Sequence, residues 1–445
     1  MKLVKNTETV VYIGKKNEDA IWGETQFPHL YDMPNGNIGL MVHDANDVWT
    51  DLTLEPKAKW FISEDKGKHW RCATKEEKNS MGTLLPNGDF LRVLANNPTD
   101  LKGVSESDWY FGTKRLPTDA NIVPPKPDKP NTLPRYITTF MDIFGQSYKV
   151  YWLDSIPDEM IEKRFAFNRY NGETANSEIE YSLPDWKHRL ALGFYTADGY
   201  MLDNTGLYPC RDVKVAPDGS LYIAHYVARG KGSNPFTGAY EGTTNSYFFR
   251  STDNGKTWKV AGYIPYKEPD EENDKFAHLK EGFSEPDIEF MPDGSMLCIL
   301  RTCDVFMGAP EWGPTYLSRS TDGGKTWSKP EYFKDRGALP KLLQLRNGIT
   351  LAIITRPGIY VYASEDCGKT WSTVLEIMSD KDRSMLGNIK PETPDFHQWC
   401  GSCCNCSIKA ISDNSALLVY SDFYIPDETG VKRKGIKSIE IKAER

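Results

Sequence analysis

Short runs of alternating apolar and polar residues follow one another along most of this chain, and turn signals separate them. Alternation with a period of two is typical of strands that bury one face. One such run leads into Pro34-Asn35-Gly36, and another, residues 38–42, leads out of it. Asn-Gly and Asp-Gly between apolar runs favour tight hairpin turns. The pattern predicts an all-β chain of repeated hairpins, with turns at Gly36, Gly88, Gly219, Gly294 and Gly348.

The spacing of these turns indicates how many units the chain holds. The turn glycines are separated by 52, 131, 75 and 54 residues, so one interval is about twice as long as the others. We expect a further hairpin inside it, at Asn171-Gly172, and a degenerate one at residues 412–414. Repeats of about 40–50 residues that form four-stranded antiparallel sheets are typical of β-propeller blades. The sequence predicts a single propeller domain over residues 1–445, with seven blades favoured and six as the alternative. A strand at residues 9–13 is expected to close the last blade at residues 436–441, because closure removes exposed edges.

An eight-residue motif, Ser-x-Asp-x-Gly-x-Thr-Trp, occurs at residues 251–258, 320–327 and 364–371, and loosely at 63–70. Ser and Asp side chains accept hydrogen bonds from nearby backbone N–H groups, and Gly adopts the positive φ of a tight turn. The Trp is large enough to anchor the turn in an apolar layer. The motif resembles the Asp-box, or BNR repeat, of the sialidase (neuraminidase) superfamily of β-propellers. The resemblance implies that the boxes lie between the outer two strands of a blade, away from the substrate.

Superposing the inner hairpins on one another predicts a ring of residues around one end of the propeller axis. Positions about nine before a turn glycine and seven after it lie at the same end of a hairpin. Arg356 lies one residue past the strict count, where Thr355 stands, and a β-bulge would bring it into line. The ring residues suited to acid–base chemistry and anion binding are His43, Tyr226, Glu285 and Arg301.

The sialidase resemblance assigns roles to several of these residues. It implies that Glu285, which precedes Arg301 by sixteen residues, takes part in catalysis, and that Arg301 and Arg356 clamp the substrate carboxylate. The paired N–H donors of a guanidinium match the two oxygens of a carboxylate. Two positions depart from the family pattern: Gln26 stands where a first clamp arginine is expected, and Asn405 stands where the nucleophilic tyrosine is expected. The family's acid would be a first-blade aspartate, for which the candidates are Asp51, Asp44 and Asp47.

Other residues near this end of the axis have two interpretations each. His29 and Trp312 are candidate substrate-binding residues, and the aromatic loop at residues 306–314 could stack on a sugar face or simply cover a blade. His43 and Tyr226 could instead fill the axial channel.

A group of cysteines near the last blade invites a metal interpretation. His397, Cys400 and Cys403 are zinc ligand types at plausible spacing. A second Cys-x-x-Cys is missing from the sequence, and small residues could simply pack near a crowded axis. We therefore predict neither a metal nor a cofactor.

Composition narrows the range of partners. The formal net charge of −8 argues against sequence-independent binding to nucleic acid. No apolar run of about 18 residues is present, so no membrane-spanning helix is expected. The N-terminal stretch lacks the apolar core and cleavage site of a secretory signal. The nine cysteines do not form an obvious disulfide framework. We expect a cytoplasmic protein whose partner is an oligosaccharide or glycoconjugate substrate.

Three functional hypotheses follow. The first is an exo-acting, sialidase-like glycoside hydrolase acting on a terminal acidic sugar, either sialic acid or a uronic-acid-bearing glycan. The second is a different chemistry on the same propeller, as in rhamnosidases or uronate lyases, with His43 or Tyr226 removing a proton in the lyase. The third is a carbohydrate-binding propeller without catalysis, because a fold alone does not determine function.

Overall fold

The computed structural model describes residues 1–16, 24–44, 58–93, 99–100, 136–141, 147–152, 164–169, 174–179, 190–196, 199–203, 207–228, 244–266, 282–302, 314–356, 358–379 and 405–445. Strands dominate this part of the chain and are numbered here in chain order. One short helix, α1 (Lys75–Asn79), begins at a capping box formed by Thr74 and Glu77. No helix in these ranges is long and apolar enough to cross a membrane.

The described strands form five blades of four antiparallel strands each; four blades are sheets of their own, and the second is part of an eight-stranded sheet. The first blade contains β3 (Gln26–Asp32), β4 (Ile38–His43), β5 (Lys59–Ser63) and β6 (Arg71–Cys72). The second contains β16 (Leu207–Val215), β17 (Leu221–Ala228), β18 (Thr244–Ser251) and β19 (Thr257–Ile264). The third contains β20 (Ser284–Phe290), β21 (Met296–Arg301), β22 (Thr315–Ser320) and β23 (Glu331–Lys334). The fourth contains β24 (Lys341–Gln344), β25 (Thr350–Thr355), β26 (Ile359–Ser364) and β27 (Thr373–Met378).

The fifth blade joins the two ends of the described chain. It contains β28 (Cys406–Ala410), β29 (Ser415–Pro426), β30 (Lys432–Glu444) and β1 (Lys2–Lys5), and β2 (Thr9–Lys16) also pairs with β30. Thr9 lies opposite Ser438 and Ile13 opposite Gly435, in antiparallel register. The N-terminal strand therefore lies where the sequence places it. That residues 1–445 form a single domain stays a prediction.

A hairpin and two further sheet segments occupy the interval between the first and second blades. The hairpin of β7 (Thr83–Leu84) and β8 (Phe90–Val93) lies between β3 and β16. Its sheet continues through β12 (Arg164–Arg169) and β13 (Thr174–Ile179), and β13 runs parallel to β19. A separate sheet contains β9 (Thr99–Asp100), β10 (Tyr136–Met141), β11 (Ser147–Trp152), β14 (Leu190–Thr196) and β15 (Gly199–Asp203).

The predicted number of blades is wrong. The described strands form five regular blades rather than seven or six. The long interval between turn glycines does not hold two ordinary units. Its strands build the separate sheet of β9, β10, β11, β14 and β15, and they extend the sheet of the β7–β8 hairpin through β12 and β13. Asn168 and Thr174 do pair across the predicted turn at Asn171-Gly172. That hairpin adds to β8 and β19 instead of forming an inner hairpin of its own.

The Asp-box turns join neighbouring blades. Each connects the third and fourth strands of a blade, as predicted. Trp258 is fully buried in a cluster formed by Leu91 of the β7–β8 hairpin and apolar residues of its own blade. Trp327 packs on Phe248 of the second blade, with 4.5 Å between ring centroids. Because these two rings pack against a neighbouring hairpin or blade, the boxes stabilise the contacts between units as well as their own hairpins.

Candidate active site

The inner strands begin with an irregular step that turns selected side chains towards the axis. In β3 the pairing with β4 shifts between Gln26 and His29, and in β20 the pairing with β21 shifts between Ser284 and Asp287. Phe27, Glu285 and Leu339 all have φ between 42° and 48°, and a proline follows each of them. Non-glycine residues in this region carry about 1–2 kcal/mol of strain, which the surrounding packing must hold.

Glu285 and Arg301 form an ion pair at the open end of the inner hairpin of the third blade. Arg301 Nη1 lies 2.6 Å from Glu285 Oε1, and the backbone N–H of Leu339 donates to Glu285 Oε2 at 2.7 Å. Burial alone would raise the pKa of Glu285, but the charge and hydrogen bond of Arg301, the Leu339 N–H and the charge of Arg356 together lower it. Glu285 is therefore a carboxylate at neutral pH and can act as a base, not as a proton donor.

Arg356 reaches the same region by a different route from the predicted one. No β-bulge brings it into line: Thr355 pairs directly with Ile359, and β25 ends there. Arg356 follows with a φ of 49°, and its N–H donates to the carbonyl of Gly358 at 3.0 Å. Thr355 is buried, and its hydroxyl donates to the carbonyl of Ala338. A left-handed residue after the strand, rather than a bulge within it, redirects the guanidinium.

Two amide side chains complete the arrangement. Arg356 Nη2 donates to Asn405 Oδ1 at 3.4 Å, and Asn405 Nδ2 donates to Gln26 Oε1 at 3.4 Å. The structure thus brings together five predicted site residues from four blades. We call this group the guanidinium–amide cluster; its members are Gln26, Glu285, Arg301, Arg356 and Asn405.

His43 of the first blade and Tyr226 of the second blade, both predicted site residues, lie close to the ends of their inner strands. His43 is buried opposite Gln26, with its ring 5.6 Å from that of Phe27. Tyr226 is half-buried on β17, opposite Tyr208. Their catalytic roles stay predictions. The neighbouring His225 is buried against Phe249, and burial lowers its pKa to about 3, so it is neutral at physiological pH.

His29 belongs to a separate set of buried and partly buried charges. Its Nε2 lies 3.1 Å from Asp212 Oδ1, and Lys341 Nζ lies 2.6 Å from Asp212 Oδ2. Lys214 lies 3.6 Å from Asp287 and 3.4 Å from Glu289. We call this group the axial ion network; its members are His29, Asp212, Lys214, Asp287, Glu289 and Lys341. The structure thus places His29 in an ion pair with Asp212, and its contact with a substrate stays a prediction.

Most of the axial ion network was not predicted, although the spacing of its residues along the inner strands indicates it. Asp212, Asp287 and Lys341 each stand two residues after a predicted ring position, and strand alternation places such residues on the same face. Burial alone would raise the pKa of Asp212, but the charges of Lys341, His29 and Lys214 lower it instead. The network is thus a mutually neutralising set, which is how buried charges are tolerated.

Several predicted residues lie outside the described ranges. They are Asp47, Asp51, Trp312, Cys400 and Cys403. Asp44 is described: it accepts a hydrogen bond from Thr25 Oγ1 at 3.2 Å and lies 3.7 Å from Lys59 Nζ. Across the residues with described side chains, no group of His, Cys, Asp and Glu is arranged to hold a metal ion.

Comparisons with known proteins agree with this architecture. A family model described as BNR/Asp-box repeat matches residues 249–260 and 318–329. No curated protein sequence matches the chain significantly. A solved structure of a protein of unknown function from Dyadobacter fermentans DSM 18053 aligns with a TM-score of 0.56 at 16% identity, covering 99% of both chains.

Two enzymes of known activity align more loosely. An α-L-arabinanase from Penicillium chrysogenum has a TM-score of 0.45 at 11% identity, covering 97% of this chain and 98% of the enzyme. The NanB sialidase from Streptococcus pneumoniae has a TM-score of 0.46 at 11% identity, covering 98% of this chain and 71% of the enzyme. The repeat match confirms two of the predicted Asp-boxes, at residues 251–258 and 320–327, and the described strands form a β-propeller that carries these BNR repeats.

Proposed function

We propose that this protein is a glycoside hydrolase that removes a terminal acidic sugar. The observation that carries the proposal is the convergence of two buried guanidiniums on one ionised carboxylate. Arg301 and Arg356 are 6% and 5% exposed, and both lower the pKa of Glu285. Buried arginines that meet at the end of a propeller axis are suited to a ligand carboxylate, because paired N–H donors match its two oxygens. The resemblance to sialidase-like propellers supports a hydrolase.

In the proposed reaction the sugar carboxylate binds to Arg301 and Arg356. Glu285, already ionised, accepts a proton from the attacking water. Asn405 occupies the position at which the sialidase resemblance expects a tyrosine, and an amide is a poor nucleophile. Water therefore attacks the anomeric carbon directly, and no glycosyl-enzyme intermediate forms.

A second group must protonate the leaving oxygen, because glycoside hydrolysis needs an acid and a base on opposite sides of the bond. Glu285 cannot serve as this acid, since its pKa is lowered. We assign the role to the first blade. The candidates are His43, Asp44, Asp47 and Asp51.

The test is a screen of aryl glycosides and oligosaccharides of sialic and uronic acids. Sugar release and ultraviolet absorbance are followed together, because a lyase forms an unsaturated, absorbing product and a hydrolase does not. Glu285→Gln should lower kcat/KM by about 10²–10⁴-fold on any substrate found. The matched control is Glu331→Gln, an exposed residue on the outer strand of the same blade, which should leave activity unchanged.

Three results would contradict the proposal. Full activity of the Glu285→Gln variant would remove Glu285 from the reaction. An absorbing product would identify a lyase. Retained binding of acidic glycans with no turnover of any of them would identify a binding propeller.

A further inference from the structure

The hydrogen bonds around Asn405 have a fixed direction. A guanidinium is a donor only, so Asn405 must present Oδ1 to Arg356, 3.4 Å away. Its Nδ2 therefore faces Gln26, and Gln26 must present Oε1 to it, also at 3.4 Å. The three side chains form a relay from Gln26 through Asn405 to Arg356. They are 0%, 1% and 5% exposed respectively.

Backbone contacts hold the two amide residues of the relay. The carbonyl of Asn405 accepts a hydrogen bond from the N–H of Ser421 at 3.1 Å. Gln26 pairs with His43 across β3 and β4. The relay spans the boundaries between the fourth, fifth and first blades, so it fixes the side chain of Arg356 relative to two blades other than its own.

The chemistry of the relay leaves the charge of Arg356 in place. An amide oxygen accepts a hydrogen bond from a guanidinium without neutralising it, whereas a carboxylate at the same position would pair with it. Asp is nearly isosteric with Asn, and Glu with Gln. Carboxylates at positions 26 and 405 would therefore fit the same space but would add negative charge to the cluster, whereas the amides Gln26 and Asn405 add none.

We propose that Gln26 and Asn405 are positioning residues that make this site selective for an anionic sugar. They hold Arg356 in place without adding a carboxylate that would compete with the carboxylate of the ligand. This inference rests on the proposed function for the class of ligand. It goes beyond that proposal by assigning a role to the two positions at which the chain departs from the sialidase pattern.

The direct test measures binding rather than turnover. N-acetylneuraminate and glucuronate are the probes, with glucose as the neutral control, and dissociation constants are measured by calorimetry or NMR titration. Asn405→Asp should weaken binding of the acids by at least about tenfold, because a charge-assisted hydrogen bond is worth about 1.5–3 kcal/mol. Asn414→Asp makes the same change in charge at an exposed turn of the same blade and should have no effect.

The pH dependence of folding stability tests whether the side chain at position 405 lies beside Arg356, and it needs no ligand. A carboxylate beside Arg356 has a lowered pKa, so it stabilises the fold above about pH 4 and loses that effect on acidification. The stability of Asn405→Asp relative to the wild type should therefore fall as the pH falls below about 4. A buried carboxylate away from Arg356 would show the opposite trend, because burial raises its pKa.

The outcomes separate this inference from the proposed function. Acid binding that Asn405→Asp weakens supports the inference, even if the wild type hydrolyses nothing and the hydrolase proposal fails. Equal binding of the acids by wild type and Asn405→Asp overturns it, whatever the turnover. A wild type that binds neither acid, or a reversed pH trend in the variant, also overturns it.

Discussion

The Asp-box turns and the starts of the inner strands are both repeated features, but they repeat in different ways. In the turns, side chains and hydrogen bonds recur together. The N–H of the box glycine donates to the serine hydroxyl at 2.9 Å in three boxes, at Gly255, Gly324 and Gly368. At the inner-strand starts the backbone recurs, while the side chains differ completely.

This difference explains why one region carries the architecture and the other can carry the proposed chemistry. Phe27, Glu285 and Leu339 share a left-handed backbone, yet one is aromatic, one acidic and one aliphatic. A repeated backbone step presents a side chain at the same place in each blade without specifying which side chain it is. The turns are constrained differently, because each of their side chains takes part in the hydrogen bonds that form the turn.

The largest expected effect comes from a box tryptophan. Trp258→Ala removes a fully buried ring and should destabilise the fold by about 3–5 kcal/mol, measured by denaturant unfolding. Trp371→Ala makes the same change in a box whose ring is half-buried, and should cost less. Acid binding by the folded fraction should be unchanged in both variants. A box variant that abolished binding while remaining folded would contradict the separation of architecture from chemistry.

The sequence predicted the local features of this fold and missed those that depend on distant pairing. The box turns lie between the third and fourth strands as expected, because their hydrogen bonds join residues at most four positions apart. The number of blades was wrong because nothing local distinguishes an inner hairpin from β12–β13, which joins β8 and β19.

The candidate site shows the same division. Counting from the turn glycines located Glu285 and Arg301, since both lie at the open end of one hairpin, where Ser284 pairs with Arg301. Arg356 stands one position past the predicted register, because Arg356 itself adopts a left-handed backbone directly after β25. The ion pair between Asp212 and Lys341 joins residues 129 positions apart. Sequence spacing within one hairpin cannot show such a pair.

The axial ion network should be the next most sensitive region. Lys341→Met removes a buried ammonium group that lies 2.6 Å from Asp212, and leaves that carboxylate with less compensation. We expect a loss of about 3 kcal/mol in the free energy of unfolding. Lys409→Met is the matched control: its pair with Asp32 also spans 2.6 Å but is partly exposed, so its loss should be below about 1 kcal/mol. Equal losses in the two variants would show that burial of the network contributes nothing.

The smallest expected effect separates the two repeats by their response to acid. Burial opposes ionisation of Asp366, but hydrogen bonds from Thr370, Ser364 and Lys369 together outweigh it and lower its pKa to about 2. A lowered carboxyl pKa adds stability above the unfolded value of about 3.9, and that stability disappears as the pH falls through about 2.

Asp366→Asn should therefore lower the melting temperature at neutral pH, and the difference from the wild type should shrink steadily below about pH 4. Asp322, whose hydrogen bond with Thr326 is the largest of the contacts that lower its pKa to about 2, should behave alike when changed to Asn. The two effects should add, because the turns are in different blades and share no partner. Thermal unfolding followed by circular dichroism across this pH range measures both. A difference that stayed constant on acidification would mean that the box aspartates act through shape alone, and the turns would then resemble the inner-strand starts in repeating a backbone rather than an interaction.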